Sequence, residues 1–425
     1  MTKYIIVMGG TATGTGKTAF SASLGYILST YGLNVSMVKF DGILNIDFEH
    51  CFSPKNKGEI IWDGEEIFIT KDEEMVDSDL GVYERFLDKN FSKKNNIVNG
   101  NCYYELMNKQ LKMKFKRGEI ISINSHVIPL YIKKIAEASN NSDVCIIEIG
   151  GTIGDYESLF FSRAIGILKD KNKNKTIFIL YSYLPLKSRT EFSEKEPFLL
   201  KVVKQNFEKA ILLGLKPDFL AIRSDYNLEK FHKERITRDT FLNEEKIINI
   251  KTSRDQYNIP IEILNTGEHK NLINDLGIDG PRIEGHLEKY SALGEFSTSK
   301  ILIIGETESS GSFISLKEAI KHAMRHLGKT PVITWIKGNQ LENFRRDNIL
   351  EDYNYVVITD GMENIPGKDE ILKNKSIPLL CIGPVCKKFK NLQGHYFILR
   401  HEEYASRPMN PTLLKFFNLQ WREGK

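Results

Sequence analysis

A short apolar run, Tyr4-Ile5-Ile6-Val7-Met8, leads directly into Gly9-Gly10-Thr11-Ala12-Thr13-Gly14-Thr15-Gly16-Lys17-Thr18. A helix-like segment from Ala19 to Leu28 follows. Strand, glycine-rich turn, Gly-Lys-Thr and helix form the setting in which such a loop cradles phosphate. Glycines let backbone N–H groups crowd an anion, and the helix N-terminus adds favourable partial charge. Thr13, Gly14, Thr15, Gly16, Lys17 and Thr18 are therefore the expected phosphate-binding residues. Lys17 is placed to reach terminal phosphates and the Thr18 hydroxyl to ligate Mg²⁺. Five residues, one more than usual, separate Gly10 from Gly16.

The rest of the chain alternates in the same style. Apolar runs bounded by turn signals recur at Asn34 to Phe40, Val144 to Ile149, Thr176 to Tyr181, Phe219 to Ile222 and Ile247 to Ile250. Helix-length periodic stretches such as Val127 to Ala136 and Leu199 to Leu213 lie between them. That alternation predicts a parallel sheet wrapped by helices. Near Asn265 the pattern fades into Gly, Asn, Pro and charge, with Gly277, Gly280 and Pro281. It resumes at Ile301 to Gly305, a helix around Ser315 to Leu327, and runs at Pro331 to Trp335, Tyr355 to Thr359 and Pro378 to Ile382. We read a domain over 1–270, a linker over 271–298 and a smaller α/β domain over 299–425, without internal repeats.

Composition narrows the partners. At 425 residues the chain has room for about two domains. A net charge of +4, from 59 basic and 55 acidic residues, gives no argument for nucleic acid or an anionic membrane surface. Five scattered cysteines (Cys51, Cys102, Cys145, Cys381, Cys386) lack zinc-site spacing and read as reduced thiols of a cytoplasmic protein. No leader peptide and no membrane-length apolar run is read.

Chemistry-bearing residues cluster at strand ends. Val144-Cys145-Ile146-Ile147-Glu148-Ile149-Gly150-Gly151 is an apolar strand with one acid near its C-terminal end, where ligands bind in an open parallel sheet. Glu148 is thus a Mg²⁺ ligand candidate. The loop from Gly150 to Glu157 carries glycines that permit close backbone approach to a ligand. Lys39 and Asp41 end the second strand and bring charge to the same sheet edge. Asp77 and Asp79 read either as solvated loop acids or as further metal oxygens. His126 reads as structural.

These residues carry a resemblance. The chain resembles the CTP synthase family, amidoligases that aminate UTP. Matching segments are the loop with Gly16-Lys17; Lys39-Phe40-Asp41 with Asn45 and Asp47; and Asp79-Leu80-Gly81-Val82-Tyr83-Glu84-Arg85-Phe86. Asn95-Asn96, Val127-Ile128-Pro129, Glu148 through Ser158, Leu215-Lys216-Pro217-Asp218 and Arg223-Ser224-Asp225 continue it, collinear over most of residues 1–265. The resemblance implies an α/β protein: a P-loop amidoligase domain with a mostly parallel sheet, then a smaller flavodoxin-like, glutaminase-related domain. It implies catalytic Lys17 and Lys39, ATP bound by the loop and Asp41, and Mg²⁺ held by Asp79 and Glu148. Asp155, Glu157 and Lys195 are implied contacts of the nucleotide substrate, UTP or a relative. A homotetramer is the implied assembly. The implied reaction passes the ATP γ-phosphoryl group to the uracil 4-oxygen, after which ammonia attacks C4.

The sequence departs from that family in three places. Gly-Lys-Thr stands where Gly-Lys-Gly is usual, which moves the loop towards dethiobiotin synthetase. The Lys-Thr-Lys-Pro-Thr-Gln segment that holds UTP phosphates is not recognisable, and Glu191 to Phe198 carries acids instead. The C-terminal domain resembles a shortened class I glutaminase. There the nucleophile position falls on Gly383, or on Cys381 with a two-residue gap, and His401-Glu402-Glu403 is the remnant of the His-Pro-Glu motif. Only 19 residues separate Cys381 from His401, and Thr359-Asp360-Gly361 puts an acid where an oxyanion loop belongs. A ligase without its own glutamine hydrolysis is expected, fed by free ammonia, another amine or amino acid, or a separate glutaminase. A P-loop switch ATPase is an alternative, although positions 11–15 hold none of the extra lysine such proteins carry. A non-catalytic regulatory or filament-forming homologue is the other.

Overall fold

A computed structural model describes residues 2–10, 14–45, 58–62, 65–72, 74–184, 189–253, 255–291, 297–305, 313–337, 340, 352–358, 378–382 and 396–399. The chain divides into two compact units, residues 1–51 with 93–288 and residues 52–92 with 289–425. Among the described residues no helix is long and apolar enough to cross a membrane.

The first unit is built on a seven-stranded sheet. From one edge the strands are Ile247–Lys251, Phe219–Ser224, Thr176–Leu184, Lys3–Gly9, Val144–Thr152, Val35–Asp41 and Asn96–Val98. Every neighbouring pair is parallel. Strands covered on both faces read as near-continuous apolar runs, which is why six of the seven were legible from pattern alone. One face, with Met8, Phe40, Ile147, Ile149 and Phe178, belongs to a core shared with Tyr131 and Phe161. Phe40 stacks on Phe161 with ring centroids 3.7 Å apart. The two-residue strand period sends Val7, Lys39 and Glu148 to the opposite face.

Two segments behave differently from their sequence reading. Asn96–Val98, too short to show alternation, becomes an edge strand by pairing with Lys39 to Asp41. The span 271–298 begins as packed structure rather than linker. Leu272, Ile273, Leu276 and Ile278 are buried, and Leu287 N–H donates to the Tyr26 hydroxyl at 3.1 Å. Burial pushes that hydroxyl's pKa up to about 12, so it stays a neutral partner.

The second unit holds five parallel strands in the order Lys329–Lys337, Ser297–Gly305, Tyr355–Ile358, Leu379–Ile382, Tyr396–Leu399. That order is the flavodoxin-like one. The helix Phe313–His326 buries Leu316, Ala319, Ile320, Ala323 and Met324 against Ile301, Ile303, Val357 and Leu380. These positions recur with the helical period, which made this helix legible. The same unit contains an antiparallel sheet of Gly58–Trp62, Glu65–Ile69 and Met75–Asp77. Its first two strands flank Asp63-Gly64, a hairpin signal present in the sequence but not read there.

One helix of the first unit carries a pH-dependent cap. At Lys230–Thr240 the Glu229 side chain accepts from the His232 backbone, and Glu229 N–H donates to His232 Nδ1 at 3.0 Å. Burial lowers the His232 pKa to about 4, against 6.5 for a free imidazole. The unfolded chain therefore takes up this proton before the folded one does. The stability contribution is complete above pH ~6.5 and is lost as the pH falls towards ~4. Thermal unfolding between pH 7 and 4.5 should cost wild type roughly 5 °C more than His232→Asn, whose side-chain oxygen accepts the same N–H. Equal losses in the two proteins would remove His232 as the source.

Candidate active site

The phosphate loop is shaped by two glycines and pinned from behind. Gly14 has φ 70° and Gly16, the N-cap of the helix Lys17–Thr30, has φ 91°, both in the left-handed region that side chains disfavour. A Cβ on Gly16 would also stand 2.7 Å from Arg223 Nη1. That guanidinium donates to the Thr15 carbonyl at 2.7 Å, and the Tyr181 hydroxyl donates to the same oxygen at 2.8 Å. Arg223 Nε donates to Thr252 Oγ1, and the guanidinium lies 5.0 Å from the Tyr183 ring centroid. The loop's second half is thus tied to strands Thr176–Leu184 and Phe219–Ser224. Lys17 Nζ donates to the carbonyls of Ile149 and Gly151, the latter at 3.1 Å, at the end of the central strand Val144–Thr152.

Parallel register assembles the charged centre. Glu148 is the register partner of Val7 on one side and of Lys39 on the other. Side chains at matched positions of parallel neighbours point to one face, so the ammonium and carboxylate meet by construction. Lys39 Nζ stands 3.7 Å from Glu148 Oε1 and 3.9 Å from Asp41 Oδ1. The Thr18 hydroxyl donates to Glu148 Oε1 at 2.9 Å. Asn96 Nδ2 donates to Asp41 Oδ2 at 2.8 Å. Glu148 has no solvent exposure and Lys39 only 6%. A carboxylate at that depth requires charge compensation and hydrogen bonds, and both are present. A hydroxyl and a carboxylate oxygen at 2.9 Å beside a phosphate loop also suit Mg²⁺, which favours hard oxygens and needs only one or two carboxylates.

A family model described as CTP synthase N-terminus matches residues 3–278, which include the loop, Lys39, Asp41, Asp79, Glu148 and Arg223. The chain belongs to the CTP synthase family. Similar proteins include the CTP synthases of Sulfolobus acidocaldarius and Methanosphaera stadtmanae, each 31% identical over 401 residues. Those matches cover 90% of this chain and 72% of each relative. A CTP synthase of Prochlorococcus marinus is 30% identical over 407 residues, covering 91% of this chain and 72% of its own length.

In this CTP synthase family member the first unit brings Gly14, Thr15, Gly16, Lys17, Thr18, Lys39, Asp41 and Glu148 to one sheet edge; Thr13 lies outside the described residues. Asp79 lies in the second unit, at the start of the helix Asp79–Leu87, where its N–H donates to Asp77 Oδ1 at 2.7 Å. Asp155 holds its own loop, accepting from Thr152 Oγ1 at 2.8 Å and from Thr152 N–H. Glu157 is exposed, and its carbonyl accepts from Asn99 Nδ2 at 2.7 Å. Lys195 is on the helix Arg189–Leu212, but its side chain lies outside the described residues. Cys381 sits within the strand Leu379–Ile382, paired to Ile358 and Ile398. Gly383, His401 and Glu403 fall outside the described residues. Arg223 and Tyr181 are the functional residues that pattern reading missed. Arg223 stood inside a matching segment, but nothing local says that it reaches Thr15, 208 positions away.

Proposed function

We propose that this chain is an ATP-dependent amidoligase that phosphorylates the 4-oxygen of UTP and replaces it with nitrogen supplied as ammonia. The observation that carries the reading is the constellation of Lys17, Thr18, Lys39 and Glu148, with Lys39 and Glu148 3.7 Å apart on adjacent strands. The loop amides and the helix N-terminus take the ATP phosphates. Lys17 exchanges its carbonyl partners for phosphate oxygens. Thr18 and Glu148 would hold Mg²⁺, which when bound neutralises charge on the phosphates. Lys39 supplies a buried cation for the transferred phosphoryl group, and such transfer depends mainly on positioning and charge stabilisation. The 4-oxygen becomes a phosphate ester, ammonia adds at C4, and inorganic phosphate leaves. UTP, ATP and ammonia thus become CTP, ADP and phosphate.

Nitrogen is proposed to come from outside the C-terminal unit, as ammonia, another small amine, or the product of a separate glutaminase. Cys381 supports this. A glutaminase nucleophile needs the strained turn after a strand, whereas Cys381 is a strand residue with partners on both sides. A homotetramer belongs to the same proposal.

The test is the full chain with ATP, Mg²⁺ and UTP, given ¹⁵N-ammonium or amide-labelled glutamine, with nucleotides read by mass spectrometry. Labelled CTP with matching ADP is expected from ammonium and none from glutamine. No CTP from ammonium would sink the ligase reading; CTP from glutamine alone would sink the external nitrogen supply.

A further inference from the structure

The helix Arg189–Leu212 lays two donors, one turn apart, across the seam between the glycine loops of the first unit. Asn206 is 9% exposed, and its Nδ2 is buried without a hydrogen-bond partner. A Cβ on Gly10 would fall 2.9 Å from that nitrogen. Lys209, three positions on, drapes over Gly154, where a Cβ would fall 2.2 Å from its Cε and 2.8 Å from its Nζ. Lys209 is exposed and makes no ion pair among the described residues. The two loops are joined at this point, since Ile153 N–H donates to the Gly9 carbonyl at 2.7 Å. Gly10 and Gly154 each follow one end of that bond. Asn206 and Lys209 therefore bracket the place where the phosphate loop meets the loop after Glu148.

An amide donor buried with nothing to bind costs free energy that an apolar side chain of the same size would avoid. Its position beside the first glycine of a phosphate loop, with an ammonium one turn away, selects an anion with several oxygens. We propose that Asn206 and Lys209 form a subsite for the oxygens of a nucleotide triphosphate chain. Asn206 donates a neutral hydrogen bond and Lys209 a charge-assisted one. The identity of the nucleotide rests on the ligase reading; the oxyanion chemistry does not.

Isothermal titration of the full-length protein with inorganic tripolyphosphate tests the subsite. Asn206→Leu and Lys209→Ala should each weaken binding by about tenfold or more, while Lys209→Arg stays within about threefold of wild type. Asn206→Leu should also melt at or above the wild-type temperature, since it removes an unsatisfied buried donor. A purely structural Asn206 would give the same melting behaviour with tripolyphosphate affinity intact. Should the Leu variant fail to fold, the Lys209 pair decides, because that side chain is exposed. Unchanged affinity in the variants, or no binding to wild type, overturns the proposal. Parallel titrations with UTP and a non-hydrolysable ATP analogue assign the subsite to the acceptor or donor triphosphate, according to which loses affinity. Wild type that binds tripolyphosphate as expected yet makes no CTP would sink the ligase reading and leave the subsite standing.

Discussion

Glu148→Gln is expected to abolish nucleotide amination while leaving the protein folded. Glutamine has nearly the same size and keeps an oxygen to accept the Thr18 hydroxyl, which now donates at 2.9 Å. Lys39 retains a carboxylate, since Asp41 stands 3.9 Å from it. What disappears is the only full negative charge on the Val144–Thr152 strand, and with it a metal ligand at the end of the phosphate site. The amination rate with ammonium should fall by about 10³-fold or more, the scale set by losing metal-assisted charge stabilisation of the transferred group. ATP binding in the presence of a chelator should be nearly unchanged, and its strengthening by Mg²⁺ should vanish. A Gln variant that aminates UTP at the wild-type rate would remove Glu148 from the metal and from the reaction.

The second large effect is on stability. Lys39→Ala takes a positive charge from beside a carboxylate that has no solvent exposure. Breaking one side of such a pair costs about 3–5 kcal/mol, because the remaining charge stays desolvated. For a unit of this size that lowers the melting temperature by roughly 10 °C. The double variant Lys39→Met with Glu148→Leu exchanges the pair for apolar groups and should recover most of the loss, while remaining inactive. Calorimetry of the wild type, Lys39→Met, Glu148→Leu and the double variant closes the cycle. If the double variant melts no higher than Lys39→Ala, the two side chains are not coupled.

Much of this was legible locally. Tyr4 to Met8, Val144 to Ile147 and Ile177 to Tyr181 are apolar without interruption because both faces of their sheet are covered, so their strand character survives in the sequence alone. Gly16-Lys17-Thr18 after the first of them marked a candidate anion site, and Gly14 and Gly16 take the left-handed φ that glycine adopts most readily. Other features left weaker local signals. Asn96–Val98 is a strand only because an edge stood ready to pair with it. The stretch after Asn265 looked like a linker through Gly277, Gly280 and Pro281, yet its scattered apolar side chains are buried. Asp63-Gly64 was a hairpin signal that the long apolar runs overshadowed. Asp155, expected to face the nucleotide, is engaged with Thr152 in its own turn.

The sequence by itself determined most strands of the larger sheet, where the glycine-rich loop lies, that the sheet is parallel, and to which family the motifs point. Period and turn chemistry are local properties, readable within a window of a few residues. Only the tertiary structure decided that Val144–Thr152 lies between Lys3–Gly9 and Val35–Asp41 in a register that sets Lys39 beside Glu148. It alone brought Arg223 to Thr15, laid Asn206 against Gly10, and grouped residues 52–92 with the C-terminal unit. Strand neighbours are selected by burying apolar faces between distant segments at a cost in loop-closure entropy that grows slowly with separation, so no local pattern records them.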